Sequence, residues 1–244
     1  MAGVILGVAF LMALAAATSR SAAAAQPAAT HDGVDASVKK IVDSGDHAKM
    51  LAAANAAAAS GNRQLSDSLT RKAADAAIMN PSTIMPSPFP SVSAPAWTHF
   101  VRLLMGKNPR EITSEYHLGL FAFGMPRLVD LGLATNPVKQ KQNGKNVWNA
   151  TWTPPASLEA FLASPSFQYH AFVKAVTQDL HAIKEKLPNA VGTEIDGQPA
   201  TPSGLLAVVK QAGLKNLETW IASADVRAKF PSTSAQFHKL NGIF

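Results

Sequence analysis

The stretch NPSTIMPSPFPSVSAP, from Asn80 to Pro95, contains five prolines, and it divides the chain. Each proline removes a backbone donor and pushes its predecessor out of the helical region, so no helix or strand can run through the stretch. Residues 81–95 therefore read as a semi-rigid linker and a domain boundary.

The residues before the linker read as a helical hairpin over 35–80. DASVKKIVDSGDHAKMLAAANAAAAS is rich in alanine, the best helix former. Ser60-Gly61-Asn62 is a turn signal, and RQLSDSLTRKAADAAIM resumes with Leu65, Leu69 and Ala73 at helical spacing. Two alanine-rich helices carry no chemistry. Their small faces suit packing, and the hairpin is a candidate contact to an assembly partner.

At the N-terminus, Ala2 to Ser19 is free of charge and centred on VILGVAFLMALAAA. A short apolar segment followed by SAAAAQ reads as a signal peptide over 1–25, cleaved after Ala25. No basic residue precedes the apolar run, so a retained N-terminal membrane anchor is the alternative, and a buried hydrophobic helix is a third. The segment lies at the lower edge of a spanning length. These readings put the protein in the periplasm, outside the cell, or on the inner membrane facing the periplasm.

Beyond the linker, residues 96–244 form the larger region. Trp97, Phe100, Val101 and Leu104 share a helical stripe that stops before Asn108-Pro109. Phe121 to Leu131 reads as helix or turn-helix with Gly132 as its C-cap. VKQKQNGKNVWNATW carries an Asn-Gly turn and reads as a loop or small hairpin. Ser157 opens LEAFLA, and Ser164-Pro165 caps a helix with Phe167, Ala171, Val176, Leu180, Ile183 and Leu187 on its stripe. Thr201-Pro202 opens GLLAVVKQA, which Gly213 closes before LKNLETWIAS. No long alternating apolar run occurs, so the chain is expected to be mostly α.

Charge narrows the partners. Of 22 basic and 16 acidic side chains, residues 96–244 hold 15 and 10, so the excess sits in this region. Such a surface suits a polyanion, an anionic membrane or a wall polymer. No basic run with interleaved aromatics occurs, which argues against nucleic acid. Hydrophobic residues make up 47% of the 244, enough for a core, and the lack of cysteine excludes disulfides and thiolate chemistry. No HExxH, P-loop, GxGxxG or GxSxG motif is present, and His170 and His181 are too far apart on one helix face to share a metal. The sequence therefore calls for no metal and no cofactor.

The segment KNPREITSEYHLGLFAFG resembles the goose-type lysozymes and soluble lytic transglycosylases. In that pattern a helix ends in Glu-Ser, Asn-Pro follows, then Ser or Thr, then Gly-Leu-Met-Gln. Here Asn108-Pro109 precedes Thr113 and Gly119-Leu120-Phe121-Ala122-Phe123-Gly124. SLEAFLASPSFQYHAF and DGQPATPSGLLAVVKQAGLKNLETWI are similar to the continuation in phage-associated and bacterial wall-hydrolase-like proteins. The resemblance spans 96–244. It implies a lysozyme-like helical domain that meets peptidoglycan glycan strands, in the envelope or in a phage particle.

The same alignment puts Leu104 at the family's catalytic glutamate and Ala122 at its glutamine. The chemistry needs a carboxylic acid beside an apolar wall, where burial keeps it protonated. Leucine cannot supply that proton. Two readings stay open. In one, Glu111 or Glu115 replaces the acid and cleaves between N-acetylmuramic acid and N-acetylglucosamine, as a lytic transglycosylase or muramidase would. In the other, the domain is an inactive binding or structural module. Thr113, Tyr116, His117, Trp148 and Trp152 are the candidate substrate contacts, while Phe121 and Phe123 read as core.

Overall fold

The computed structural model describes residues 31–142 and 145–244. The proposed signal or anchor segment lies outside them. Among the described residues there are eleven helices and two small antiparallel sheets, so the chain is mostly α. No helix among them is long and apolar enough to cross a membrane. The chain divides into two compact units between Thr83 and Ile84.

The first unit holds α1 (His31–Asp43), α2 (His47–Ala59) and α3 (Arg63–Met79). The first arm of the expected hairpin is two helices rather than one. Gly45, at φ +64°, breaks it, and the Asp46 carboxylate starts α2 by accepting from the amides of Ala48 and Lys49. The hydrogen bond from the Lys49 side chain, with these amides, holds the Asp46 carboxyl below its ordinary value. Gly61, at φ +79°, turns the chain again, and Asn62 caps α3 through Leu65. Ala53, Ala54 and Leu69 are buried at the centre, with Val38, Ile41, Val42 and Leu65 against them. Alanine faces let the two long helices approach closely.

In the second unit the proline-rich residues form no regular element, as proline chemistry requires, yet they are packed. Met85 is buried, and its amide donates to Thr98 Oγ1 at 2.8 Å. Phe89 meets Trp97 edge-on at 5.7 Å. The following helix, α4 (Ala94–Leu104), begins within the expected linker because Ser93 caps it and Pro95 fits its first turn.

The core is a chain of aromatic contacts. Trp97 stacks on Phe100 at 5.7 Å and touches Phe172 at 6.1 Å. Phe172 stacks on Phe121 at 4.3 Å, Phe121 meets Phe123, and Phe123 meets Phe161 at 5.7 Å. Phe121 and Phe123 are thus core residues, as their pattern suggested. Trp97 Nε1 donates to the Tyr169 hydroxyl at 2.9 Å, which satisfies a buried indole.

Phe172 and Tyr169 belong to α7 (Pro165–Lys186), which follows the short α6 (Leu158–Ala163). Ser164 caps α7 ahead of Pro165. The tiny pair β3 (Glu194–Ile195) and β4 (Gln198–Pro199) then leads into α8 (Pro202–Ala212). Every residue of α8 from Ser203 to Val209 is buried, because α7, α9 (Leu214–Ala222) and α11 (Pro231–Leu240) all pack on it. Gly204 lets α11 approach: a Cβ there would strike Phe237 and Asn241. The short α10 (Ala224–Lys229) links α9 to α11.

Two elements project the site. The helix expected from Phe121 is only α5 (Met125–Asp130), because Phe123 is paired with Leu118 in a β-bridge and the helix starts after it. Gly132, at φ +73°, ends it: Gly132 N donates to Val129 O, and Leu133 N to Leu128 O. The polar stretch after it is a hairpin, β1 (Ala134–Gln142) and β2 (Lys145–Trp152). Its register slips between Thr135 and Val138, where Asn136 takes φ +50° and Pro137 sits without breaking a ladder bond. The Asn143-Gly144 turn lies outside the described residues.

A candidate binding cleft beside the Thr113–His117 turn

A tight turn is built first by the segment TSEYH. Thr113 N donates to His117 O at 3.0 Å and Tyr116 N to Thr113 O at 2.9 Å. The Thr113 hydroxyl accepts from His117 N at 2.9 Å. Tyr116 takes φ +61° to close the turn, a conformation that costs a non-glycine residue free energy. Leu118 then bridges Ile112 on one side and Phe123 on the other.

The loop Gly119–Phe123 returns under this turn, and three groups hold it. Gly106 N donates to Leu120 O at 2.6 Å. Gln168, fully buried on α7, accepts from Leu120 N at 2.6 Å and donates to Pro109 O at 2.9 Å and to Phe161 O at 2.7 Å. From α8, Lys210 Nζ donates to Phe121 O at 2.7 Å. Desolvation lowers the Lys210 ammonium to about 8.

On the other side, Arg127 of α5 donates to Ala175 O and to Asp179 Oδ1 of α7, each at 2.7 Å. Burial raises the Asp179 carboxyl, and Arg127 opposes that rise. These contacts anchor the base of the turn, and the turn itself is half-buried to exposed.

Between turn, α5 and hairpin lies an open cleft of about 330 Å³, lined by Glu115, Tyr116, His117, Gly124, Pro126, Lys139 and Trp148. Glu115 Oε2 is 3.9 Å from His117 Nδ1, and the two side chains are 77% and 42% exposed. The His117 ring lies beside Gly124, where a Cβ would stand 3.6 Å from its Cδ2. Lys139 and Trp148 are direct cross-strand partners, with the ammonium 5.8 Å from the centre of the indole ring.

Of the residues singled out from sequence, Glu115, Tyr116, His117 and Trp148 come together here. The cleft lining does not include Glu111, Thr113 or Trp152. Glu111 is exposed and contributes its backbone oxygen to Gly119 N. Thr113 shapes the turn. The Trp152 ring packs on Phe161 at 5.8 Å. Leu104 is half-buried at the end of α4, and Ala122 is exposed at φ +49°.

Sequence reasoning missed Lys139, Gln168 and Lys210. Gln168 and Lys210 each carried a signal: a polar residue set on an apolar stripe or ending an apolar run. Among the described residues no cluster of three metal-ligating side chains occurs. What the site offers is rings, hydrogen-bonding groups, one ammonium and one exposed carboxylate. Compared with known proteins, the chain matches no family model, no curated protein and no solved structure.

Proposed function

We propose that this protein meets peptidoglycan through a lysozyme-like domain, with the cleft beside the Thr113–His117 turn as its glycan contact. The observation that carries the reading is the cleft itself. It gathers Tyr116, His117 and Trp148 with Glu115 on one open face. Aromatic faces with hydrogen-bonding neighbours suit a saccharide, whose rings have apolar faces and polar edges. The resemblance of KNPREITSEYHLGLFAFG to wall hydrolases supports the polymer in question. An exported location, with residues 1–25 as signal or anchor, goes with it. The 35–80 hairpin would then contact an assembly partner in the envelope or in a phage particle.

Binding without cleavage is the form we favour. Leucine stands at position 104, and Glu115, the carboxylate in the cleft, is exposed. A glycosidase acid needs an apolar wall to stay protonated near neutral pH. The enzymatic form rests on Glu115 as the one carboxylate of the cleft, acting as acid and then base.

The test is incubation of the full chain with purified peptidoglycan, followed by pelleting and mass analysis of released fragments. Binding without release is expected. Anhydro-muramyl products that vanish in Glu115→Gln would establish the enzyme instead. Absence of both pelleting and release would end the wall reading.

A further inference from the structure

The hairpin beside the cleft has an unusual charge. From residue 131 to 158 there is no aspartate or glutamate, while Lys139, Lys141 and Lys145 all fall within it. Lys139 and Lys141 lie two apart on β1 and so share one strand face. Both are exposed, and among the described residues neither is ion-paired.

Lys139 differs from an ordinary surface lysine. The indole face of its cross-strand partner Trp148 restrains the ammonium at the cleft wall. A free lysine loses rotamer freedom when it binds an anion. Here part of that loss is met in advance, which favours capture of an anionic group. The acid in the cleft, Glu115, stands 3.9 Å from His117 and, among the described residues, forms no ion pair with Lys139. The cleft takes its one ammonium from the hairpin and its one carboxylate from the turn.

We infer that the ligand of this cleft carries free carboxylates on a substituent of its sugar ring, and that Lys139, backed by Lys141, binds one of them. This rests on the wall reading above and narrows it. The partner is then a muropeptide-type glycan whose peptide stem bears free carboxylates, in preference to an uncharged amino-sugar chain.

The experiment is calorimetric titration of the full chain with four probes: a disaccharide-peptide fragment of peptidoglycan, the same fragment with its carboxylates amidated, a chitin oligosaccharide of matched length, and a short DNA duplex. The carboxylate form should bind about tenfold more tightly than the amidated one. The gap should narrow at high salt. Lys139→Gln should abolish most of that preference and Lys139→Arg should keep it, with unchanged circular dichroism in both. Equal binding of the free and amidated fragments would overturn the inference and leave the wall reading standing. If no glycan binds, both fall. Tighter binding of duplex DNA than of any fragment would also overturn it, making the hairpin a phosphate-binding arm.

Discussion

The side-chain amide of Gln168 occupies the space that a Cβ on residue 119 would need. Gly119 also sits at φ +70°, where L side chains are strained. Both features come from one requirement: the loop must pass close over α7 for Gln168 to reach Leu120 N. Gly119→Ala is expected to cost about 2–4 kcal/mol, combining backbone strain with a displaced buried amide. A urea melt measures it, and a loss below half the lower figure would show that the loop yields.

Gln168→Leu removes the partner of one buried amide and two backbone oxygens while keeping bulk. Each orphaned group costs its own desolvation, so the loss should reach about 3–5 kcal/mol. If the melt moves by less than that of Gly119→Ala, water has replaced the side chain.

Burial lowers the Lys210 ammonium from 10.5 to about 8. Between these values the unfolded chain holds a proton that the folded protein has released. Stability from this group therefore rises as pH climbs from 8 to 10.5, and is flat below 8, where both states are protonated. The gain across the window is at most ~3 kcal/mol. Comparing wild type with Lys210→Met at both ends isolates the group from other titrations. Wild type should gain on the variant toward high pH, and parallel curves would refute the shift.

The two tryptophans of the hairpin should separate cleanly. Trp148→Ala should weaken pelleting with peptidoglycan about tenfold or more and leave the melt nearly unchanged. Trp152→Ala should cost about 1–2 kcal/mol through its lost contact with Phe161 and leave binding intact at low temperature. The opposite assignment would mean that the glycan contact lies elsewhere.

The helix starts were legible because their chemistry is local. Ser157, Ser164 and Thr201 each cap the helix that follows, with a nearby proline helping two of them, whereas the cap at Ser93 was hidden among the prolines around it. The hairpin was legible from its Asn-Gly dipeptide and polar composition. The break at Gly45 was not, because alanine-rich flanks outweigh one glycine in a sequence window. The core of the site was the hardest part. Gln168 reaches Leu120 across 48 residues, and Lys210 reaches Phe121 across 89. No short pattern encodes a contact at that range, so Glu111 and Thr113, inside the motif, and Trp152, flanking the polar loop, were named as candidates while Lys139 was passed over.

The Gly119–Phe123 loop is held by α7 at one residue and by α8 at the next. It therefore acts as a gauge of the spacing between two helices that it does not belong to. A substitution deep between them, far from any ligand, would register at the exposed backbone of Ala122, and the amide resonance of that residue would read it out before the fold itself gave way.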